Sequence, residues 1–465
     1  MVLDWATVIL LSSGPVKPRS KDFRKPKPDA PRVLAFDIIS EVNRRGGYSN
    51  LLLPQALADS NFDVRDKAFV TELVYGTIRM QGKYDYILAQ ISDRPWSEVD
   101  DDLVDCSRLG AHQIFSMRTP PHAAVAQTVE LARSVIGESK ASFLNALLRK
   151  ASAKTEEEWL KPLDQITDPI EVLAIKHSHP EWIVSAYFDL LKDIALVEAE
   201  LIANNVPARP TLVTWPGESQ PSDFFLIGGE ATKFSPYGVV TPLAPYEIDQ
   251  IKLRKAGVQD EGSQVLTDIF ARITSDCKST LDLCAGPGGK AALLSHIVAA
   301  SGRIFVANEI SEARASLVKK VVGGAPVWVG DAREIASHHQ TFDAILADVP
   351  CTGLGALRRR PEVRWRRTLQ DLRSLTELQS EISEAALSIL NPGGYFGYAT
   401  CSPHFAETSA QVALILKKHP ELEQVDITPY LSSGLVGATR GANLSLWAAR
   451  HGMDSMFMAV FKKKG

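Results

Sequence analysis

Residues 279–307 of this 465-residue chain read STLDLCAGPGGKAALLSHIVAASGRIFVA, and this stretch decides the fold of the C-terminal half. A β-prone run, Thr280–Cys284, passes through a glycine-rich turn into a helical run, Lys290–Ala300, and a second β-prone run begins at Arg303. Parallel strands need a helical crossover of about this length between them. The stretch therefore predicts a parallel sheet with helices packed on it.

The alternation continues towards residue 400 and predicts a doubly wound, Rossmann-like α/β domain over residues 263–465. The remaining predicted elements of this domain are the strands Val327–Val329, Ala344–Ala347 and Tyr395–Thr400 and the helices Glu312–Val322 and Leu369–Leu390.

Three further regions precede this domain. Residues 1–30 are rich in Pro, Lys and Arg, which predicts a disordered basic tail. Residues 31–155 carry apolar residues at helical spacing, such as Leu34, Ile38 and Val42, and predict an all-α bundle whose first helix stops at Gly46-Gly47. Residues 165–262 mix helical and short β-prone runs, which predicts a small α/β connecting subdomain.

The bulk composition excludes several classes of protein. No apolar run reaches the roughly 18 to 20 residues of a membrane span. The five cysteines are odd in number and have no C-x-x-C spacing, so neither a disulfide framework nor a metal site is expected. A reducing, cytoplasmic location fits this cysteine content. The net charge of −4 does not indicate a nucleic-acid binder, so the distribution of charge matters more.

The glycine-rich turn is the first candidate binding element. It consists of Cys284, Ala285, Gly286, Pro287, Gly288, Gly289 and Lys290. Glycine allows a ligand to approach the backbone, and a helix N-terminus offers free N–H groups. The spacing differs from the G-x-G-x-x-G of dinucleotide sites, so a ligand without phosphates, such as S-adenosylmethionine, fits better.

Two acids follow the next predicted strands. Glu309 ends the second strand about 20 residues beyond the glycine turn, where a carboxylate can accept hydrogen bonds from ribose hydroxyls. Asp331 follows the third strand and could bond an adenine amino group. Each acid alone is more often a surface residue, but together at successive strand ends they favour a nucleoside pocket.

Two cysteines follow the fourth and fifth predicted strands. Asp348-Val-Pro-Cys351 and Thr400-Cys401-Ser-Pro403 both stand at the predicted carboxyl edge of the sheet, where such folds place their chemistry. A lone cysteine is usually a small buried hydrophobe, whereas two at strand ends favour catalysis. Cytosine C5 takes a methyl group only after a thiolate adds to C6, and a carboxylate such as Asp348 can contact the base.

A cluster of arginines follows Cys351 within a few residues. Local clusters of this kind can neutralise phosphates even on a mildly acidic chain, and guanidinium groups stack on splayed bases. We therefore expect RNA contacts from Arg358, Arg359, Arg360, Arg364 and Arg366.

These segments resemble the Sun-type RNA cytosine-5 methyltransferases. The resemblance rests on Asp282–Lys290, Asp348–Gly355, Arg359–Trp365 and Thr400–Ser402, and residues 31–150 are similar to the NusB-like domain of the bacterial 16S rRNA member. The connecting segments 179–183, 205–210 and 258–264 resemble that member as well.

The resemblance implies specific roles. Cys401 attacks C6 and Cys351 helps to release the methylated RNA, while the S-adenosylmethionine contacts fall on Cys284–Lys290, Glu309, Asp331 and Asp348. It further implies a cytoplasmic, monomeric enzyme that acts on 16S rRNA. Gly286 stands where alanine is common in the family, and Glu309 replaces a shorter Asp, which leaves the ribose geometry open.

Three alternatives remain. In DNA cytosine-5 methyltransferases the Pro-Cys cysteine is the nucleophile, which would make Cys351 the attacker. An RNA-binding or antitermination-type regulator with an inactive methyltransferase domain is the second, although the intact glycine turn, acids and cysteines argue against it. A nicotinamide dehydrogenase is the third, and the missing dinucleotide fingerprint argues against it.

Overall fold

The computed structural model describes residues 27–465, so the predicted basic tail lies outside the described residues as far as residue 26. The first helix begins at Ala30, and Asp29 caps it by accepting a hydrogen bond from the backbone N–H of Arg32 at 3.0 Å. The helix thus begins one residue before the predicted start of the helical domain at residue 31. Gly46, with φ of 77°, ends the helix at the glycine pair that the sequence indicated.

An all-α N-terminal domain follows, as the apolar periodicity predicted. Its helices α1–α6 span Ala30–Arg45, Ser49–Asp59, Val64–Ile91, Asp101–Phe115, Pro121–Val135 and Glu138–Ala151. Their apolar faces form a core that includes Ile39, Leu73 and Leu109.

One helix differs from its expected form. The apolar spacing suggests two amphipathic stretches, near Val70 and near Tyr84, whereas α3 is a continuous helix of 28 residues. The polar residues Gln81 and Lys83 between the two stretches are buried, because this part of α3 packs against the rest of the molecule. The polar residues in the middle of α3 therefore mark a contact with another part of the protein, and the helix does not end there.

The connecting region contains helices and a small antiparallel sheet. Helices α7–α11 span Glu156–Leu160, Pro169–Lys176, Glu181–Leu191, Ile194–Asn205 and Asp249–Lys252. Strands β1–β4 span Thr211–Thr214, Glu230–Ala231, Gly238–Val240 and Ala256–Val258. Within the described residues they form a four-stranded sheet in the order β2-β3-β1-β4.

The C-terminal domain is the predicted Rossmann-like α/β domain. Strands β5–β13 span Ser279–Asp282, Ile304–Glu309, Val327–Val329, Phe342–Asp348, Leu390–Thr400, Leu422–Gln424, Thr439–Arg440, Asn443–Ser445 and Phe457–Lys463. Helices α12–α18 span Glu261–Ile273, Gly289–Ala300, Glu312–Lys319, Val363–Arg366, Leu369–Ser388, Ser409–Lys418 and Ala448–His451.

The sheet of this domain is mostly parallel. Among residues 27–465 it holds nine strands along the path β11-β12-β13-β9-β8-β5-β6-β7, with β10 paired to β13. The strands from β5 to β9 pair in parallel, whereas β13 runs antiparallel to β9. The carboxyl ends of β5, β6, β8 and β9 consequently meet at one edge.

No helix in the described part of the chain is both long enough and apolar enough to cross a membrane.

Candidate functional site

The two strand-end cysteines meet at the carboxyl edge of the sheet. Strands β8 and β9 pair in parallel with Asp348 opposite Ala399, so the residues that follow them leave the sheet side by side. The Sγ atoms of Cys351 and Cys401 lie 3.3 Å apart, within hydrogen-bonding distance for sulfur, and both residues are partly exposed. The strand order thus brings together two residues that are 50 positions apart in the chain.

The surroundings distinguish the two thiols. The pKa of Cys401 is lowered, chiefly by the hydrogen bond from Cys351, and the positive charges of Lys290 and Arg360 act in the same direction against burial and Asp348. The same hydrogen bond and burial raise the pKa of Cys351 well above its ordinary value, and the negative charge of Glu407 adds to the effect. The charges of Lys290 and Arg360 therefore make Cys401 the easier thiol to ionise, and Cys351 is the donor once Cys401 is a thiolate.

Asp348 and Lys290 form an ion pair beside the thiols. The Nζ atom of Lys290 lies 2.7 Å from Oδ2 of Asp348, which joins the last residue of the glycine turn to the end of β8. Burial is the largest single influence and lowers the pKa of Lys290, but the charges of Asp348, Cys401 and Asp282 and the hydrogen bond to Asp348 together outweigh it and raise that pKa. The lysine is therefore held as a cation next to Cys401.

A buried carboxylate, Glu407, holds the turn that carries Cys351. Its Oε1 accepts hydrogen bonds from the backbone N–H of Thr352 at 2.8 Å and from Nε2 of Gln379 at 3.0 Å. The same Gln379 amide donates to the carbonyl of Pro350 at 2.9 Å. Glu407 therefore fixes the backbone on both sides of the second thiol.

Tyr398 of β9 completes this network. Its hydroxyl lies 3.0 Å from Oε1 of Gln379 and 2.7 Å from the carbonyl oxygen of Glu407. The network ties the ends of β8 and β9 together beneath the two thiols.

The role of Glu407 is absent from the sequence-based expectations. It stands alone in the turn after Cys401, with no spacing pattern around it. Only its place shortly after the Ser402-Pro403 turn could have suggested a link to the end of the fifth strand of the parallel sheet.

The glycine turn closely approaches Glu309. The backbone N–H of Gly286 donates to Oε2 of Glu309 at 3.0 Å, and a Cβ atom at position 286 would overlap that oxygen. Oε1 of Glu309 accepts from the backbone N–H of Ser311 at 2.8 Å and pairs with Arg314 at 2.6 Å. The longer acid at 309 therefore occupies the space that an alanine at 286 would need, which links the two departures from the family pattern.

The side chains beside this turn are acidic. Burial, followed by the negative charge of Asp348, raises the pKa of Asp282 to about 7. Burial and the carboxylates of Asp282, Asp348, Glu309 and Asp331 raise the pKa of Cys284. Such a field repels a pyrophosphate and favours a cation, so the residues present fit a sulfonium ligand.

Asp331 lies at the predicted strand end but has a protein partner. It caps the short helical turn that follows β7 and accepts a hydrogen bond from the backbone N–H of Arg333 at 2.9 Å. The Arg333 guanidinium also pairs with it at 2.7 Å, and these contacts lower the pKa of Asp331. Its predicted contact with an adenine amino group stays a prediction.

The structure contradicts the expected RNA contact at Arg364. This side chain is fully buried, with 0% exposure. Its guanidinium donates to the carbonyl of Ser178 at 3.0 Å, to Oδ1 of Asn205 at 2.8 Å and to the carbonyl of Asn204 at 3.2 Å. All three partners belong to the connecting region, so Arg364 holds two regions of the protein together and is closed to a phosphate.

Three other arginines of the predicted cluster also bond to protein groups. Arg358 donates to the carbonyl of Gly452 at 2.6 Å, and Arg359 donates to Asp454 at 2.8 Å. Arg366 donates to a carbonyl of the N-terminal domain. These side chains remain partly exposed, so RNA contacts there stay predictions.

Arg360 acts on the thiols through its charge. Its Nε atom, like those of Arg358 and Arg364, is buried and has no hydrogen-bond partner within the described residues. Its positive charge helps to lower the pKa of Cys401. Arg360 is thus one of the arginines after Cys351 whose charge favours the Cys401 thiolate; the charge of Cys401 in turn raises the pKa of Arg359.

Within residues 27–465 no group of three or more His, Cys, Asp or Glu side chains is arranged to hold a metal ion.

The chain is similar to known proteins along most of its length. A family model described as "16S rRNA methyltransferase RsmB/F" matches residues 273–462, and the NusB family model matches residues 29–153. A putative methyltransferase of Mycobacterium tuberculosis is 38% identical over 458 residues, which cover 96% of this chain and 99% of that protein. The ribosomal RNA small subunit methyltransferase B of Yersinia enterocolitica is 30% identical, with 89% of this chain and 94% of that protein covered.

A solved structure supports the fold. The crystal structure of PH0851 matches with a TM-score of 0.76 and 20% identity, covering 94% of this chain and 100% of that one. Together with the family models and the relatives, the sheet order and the helical N-terminal domain lead to one conclusion. The chain belongs to the RsmB/F family of 16S rRNA methyltransferases and carries a NusB family domain in front of its methyltransferase domain.

Proposed function

We propose that this protein methylates C5 of a specific cytidine in 16S rRNA, with S-adenosylmethionine as methyl donor and Cys401 as nucleophile. The observation that carries the proposal is the 3.3 Å distance between Cys351 Sγ and Cys401 Sγ beside the Lys290–Asp348 ion pair. Transfer of a methyl group to a nucleophilic nitrogen or oxygen needs no thiol, whereas transfer to C5 of cytosine needs covalent activation.

Cys401 begins the reaction as a thiolate. The hydrogen bond from Cys351 and the charges of Lys290 and Arg360 lower its pKa, so the reactive form is favoured. Its sulfur bonds to C6 of the base, and the electron pair of the C5=C6 bond shifts towards C5. Asp348, which pairs with Lys290 at 2.7 Å, would contact the base edge during this addition.

The bound cofactor supplies an electrophilic methyl group. Residues Cys284–Lys290 would hold it at the turn, Glu309 and Asp331 would hold its ribose and adenine, and the acidic side chains beside the turn suit its positive charge. Glu309 Oε2 accepts the backbone N–H of Gly286, and its second lone pair would accept a ribose hydroxyl.

Cys351 acts in the release step. The hydrogen bond to Cys401 is the largest cause of its raised pKa, and that cause disappears once the Cys401 sulfur is bonded to C6. Cys351 then loses its proton to solvent and takes the C5 proton, and the C5–H electron pair re-forms the C5=C6 bond. The pair of the S–C6 bond returns to Cys401, and Cys351 again donates to it.

Two features favour this assignment over its rivals. A DNA-type assignment with Cys351 as attacker would need cations acting on Cys351, whereas Lys290 and Arg360 favour the Cys401 thiolate and the charge of Glu407 acts against a Cys351 thiolate. An RNA-binding regulator with an inactive methyltransferase domain has no need of a lysine–carboxylate pair beside two adjacent thiols. The family further favours a monomer that acts in the cytoplasm.

A trapping experiment tests the proposal. RNA that carries 5-fluorocytidine cannot lose its C5 substituent, so the covalent adduct persists on a denaturing gel. We expect wild type and Cys351→Ser to form the adduct and Cys401→Ser to form none, with methylation by Cys401→Ser reduced by at least about 1000-fold. An adduct that survives in Cys401→Ser but vanishes in Cys351→Ser would reverse the assignment.

A further inference from the structure

Helix α2 receives its N-terminal cap from the methyltransferase domain. Its own N-cap residue, Tyr48, makes no side-chain capping bond. Instead, Glu362 accepts hydrogen bonds from the backbone N–H of Ser49 at 3.2 Å and from its hydroxyl at 2.7 Å. Glu362 is 1% exposed and Ser49 is fully buried, so this carboxylate meets the positive end of the α2 dipole away from water.

Arg366 contacts the neighbouring helix end. Its guanidinium donates to the carbonyls of Val42 at 2.6 Å and Gly46 at 3.1 Å, where α1 ends. It also lies over the Tyr48 ring at 5.1 Å. The Arg366 cation thus lies at the negative end of the α1 dipole, and the Glu362 anion lies at the positive end of the α2 dipole. Both charges stabilise the α1–α2 corner, the turn between these two helices.

Trp365, between those two residues, contacts α3. Its Nε1 donates to the carbonyl of Ile78 at 3.0 Å. Its ring lies so close to Gly82 that a Cβ atom there would overlap it. Helix α15 and the residue before it are therefore held by three separate helices of the NusB family domain.

The same loop leads directly back to the thiols. Arg367, the next residue after Arg366, donates from Nε to the carbonyl of Thr352 at 3.3 Å. Thr352 follows Cys351 in the chain, and Glu407 holds its backbone N–H at 2.8 Å. A continuous path of contacts thus joins the α1–α2 corner to the residue that carries the second thiol.

We propose that Glu362, Trp365 and Arg366 are positioning residues through which the docked NusB family domain sets the place of Cys351. The inference rests on the proposed function. The proposed cofactor contacts lie mainly on β5, β6 and the turns after them, away from this path, and Cys401 follows β9. Weakening the contacts of these three residues with the NusB family domain therefore impairs the release step more than cofactor binding or adduct formation.

The test uses the full chain with an unmodified RNA substrate and S-adenosylmethionine. Two variants, called the dock variants, each remove one hydrogen bond between the NusB family domain and the loop at 362–366. Ser49→Ala removes the bond from the Ser49 hydroxyl to Glu362. Trp365→Phe removes the bond from Trp365 Nε1 to the carbonyl of Ile78 and keeps an aromatic ring. Ser60→Ala is the matched control, because Ser60 follows the other end of α2 and its hydroxyl donates to the carbonyl of Leu57 within its own domain. Cys351→Ala serves as the reference for blocked release.

We expect both dock variants to accumulate covalent adduct about fivefold over wild type, the order of one lost hydrogen bond, while product formation slows. Ser60→Ala should match wild type, and affinity for S-adenosylhomocysteine should change less than about twofold, the error of such comparisons. Unchanged adduct in Ser49→Ala, or less adduct in either variant, overturns the inference. Absence of adduct in both wild type and Cys351→Ala contradicts the proposed function instead.

Discussion

The strand-end cysteines and the arginines that follow Cys351 lie at the same edge of the sheet, yet they find different partners. Cys351 and Cys401 converge to 3.3 Å, whereas Arg364 turns inwards to a buried set of protein acceptors. Parallel pairing determines where a residue at a strand end lies. Charge in a loop indicates a partner of opposite polarity, but it does not say whether that partner is a phosphate or a carbonyl of the same chain.

Removing Arg364 should give the largest effect on stability. Arg364→Met leaves the carbonyls of Ser178 and Asn204 without their donor, and we expect a loss of about 3 kcal/mol in the free energy of unfolding. Urea unfolding measures this loss. The salt dependence of RNA binding should keep its slope, and a shallower slope would restore Arg364 as a phosphate contact.

Substitutions at Gly286 and Glu309 test the close contact between the glycine turn after β5 and the carboxylate at the end of β6. Gly286→Ala displaces the Glu309 carboxylate, since the new Cβ would overlap its Oε2, and should weaken S-adenosylhomocysteine binding by about 1 kcal/mol. Glu309→Asp draws the carboxylate back and should recover most of this loss in the double variant. Calorimetric titration of all four proteins gives the interaction energy, and strict additivity would contradict the link.

Arg360 should show the smallest effect, and the most specific one. Its charge lowers the pKa of Cys401, so Arg360→Met raises that pKa and moves the acid limb of the adduct-formation rate to higher pH. Above both pKa values the two rates should converge, because the thiolate is then fully formed in each protein. A shift to lower pH, or none, would remove Arg360 from the thiol environment.

Much of the fold could be predicted from the spacing of apolar residues and from the residue types in the turns. The strand–turn–helix stretch at 279–307 and the apolar spacing of α1 specified the two main domains because local patterns there agree with the tertiary structure. The strands after residue 400 escaped prediction, since β10–β13 are mostly short and pair antiparallel at an edge without a helical crossover.

The candidate site was predictable where the backbone alone decides position. Cys351, Cys401 and Asp348 follow or end strands whose order is constrained by right-handed crossovers. Glu407 and the role of Glu362 were not predictable, because each depends on a side chain meeting a backbone N–H far away in sequence. Such contacts leave no periodic trace.

The cap that Glu362 provides to α2 also concerns the order in which the protein is made. Ser49 and Glu362 are 313 residues apart, so the NusB family domain leaves the ribosome long before its cap is synthesised. During that interval the first turn of α2 must rely on water for its free N–H groups. The first turn of α2 therefore gains its carboxylate cap only after translation has passed Glu362, although the core of its own domain is synthesised long before.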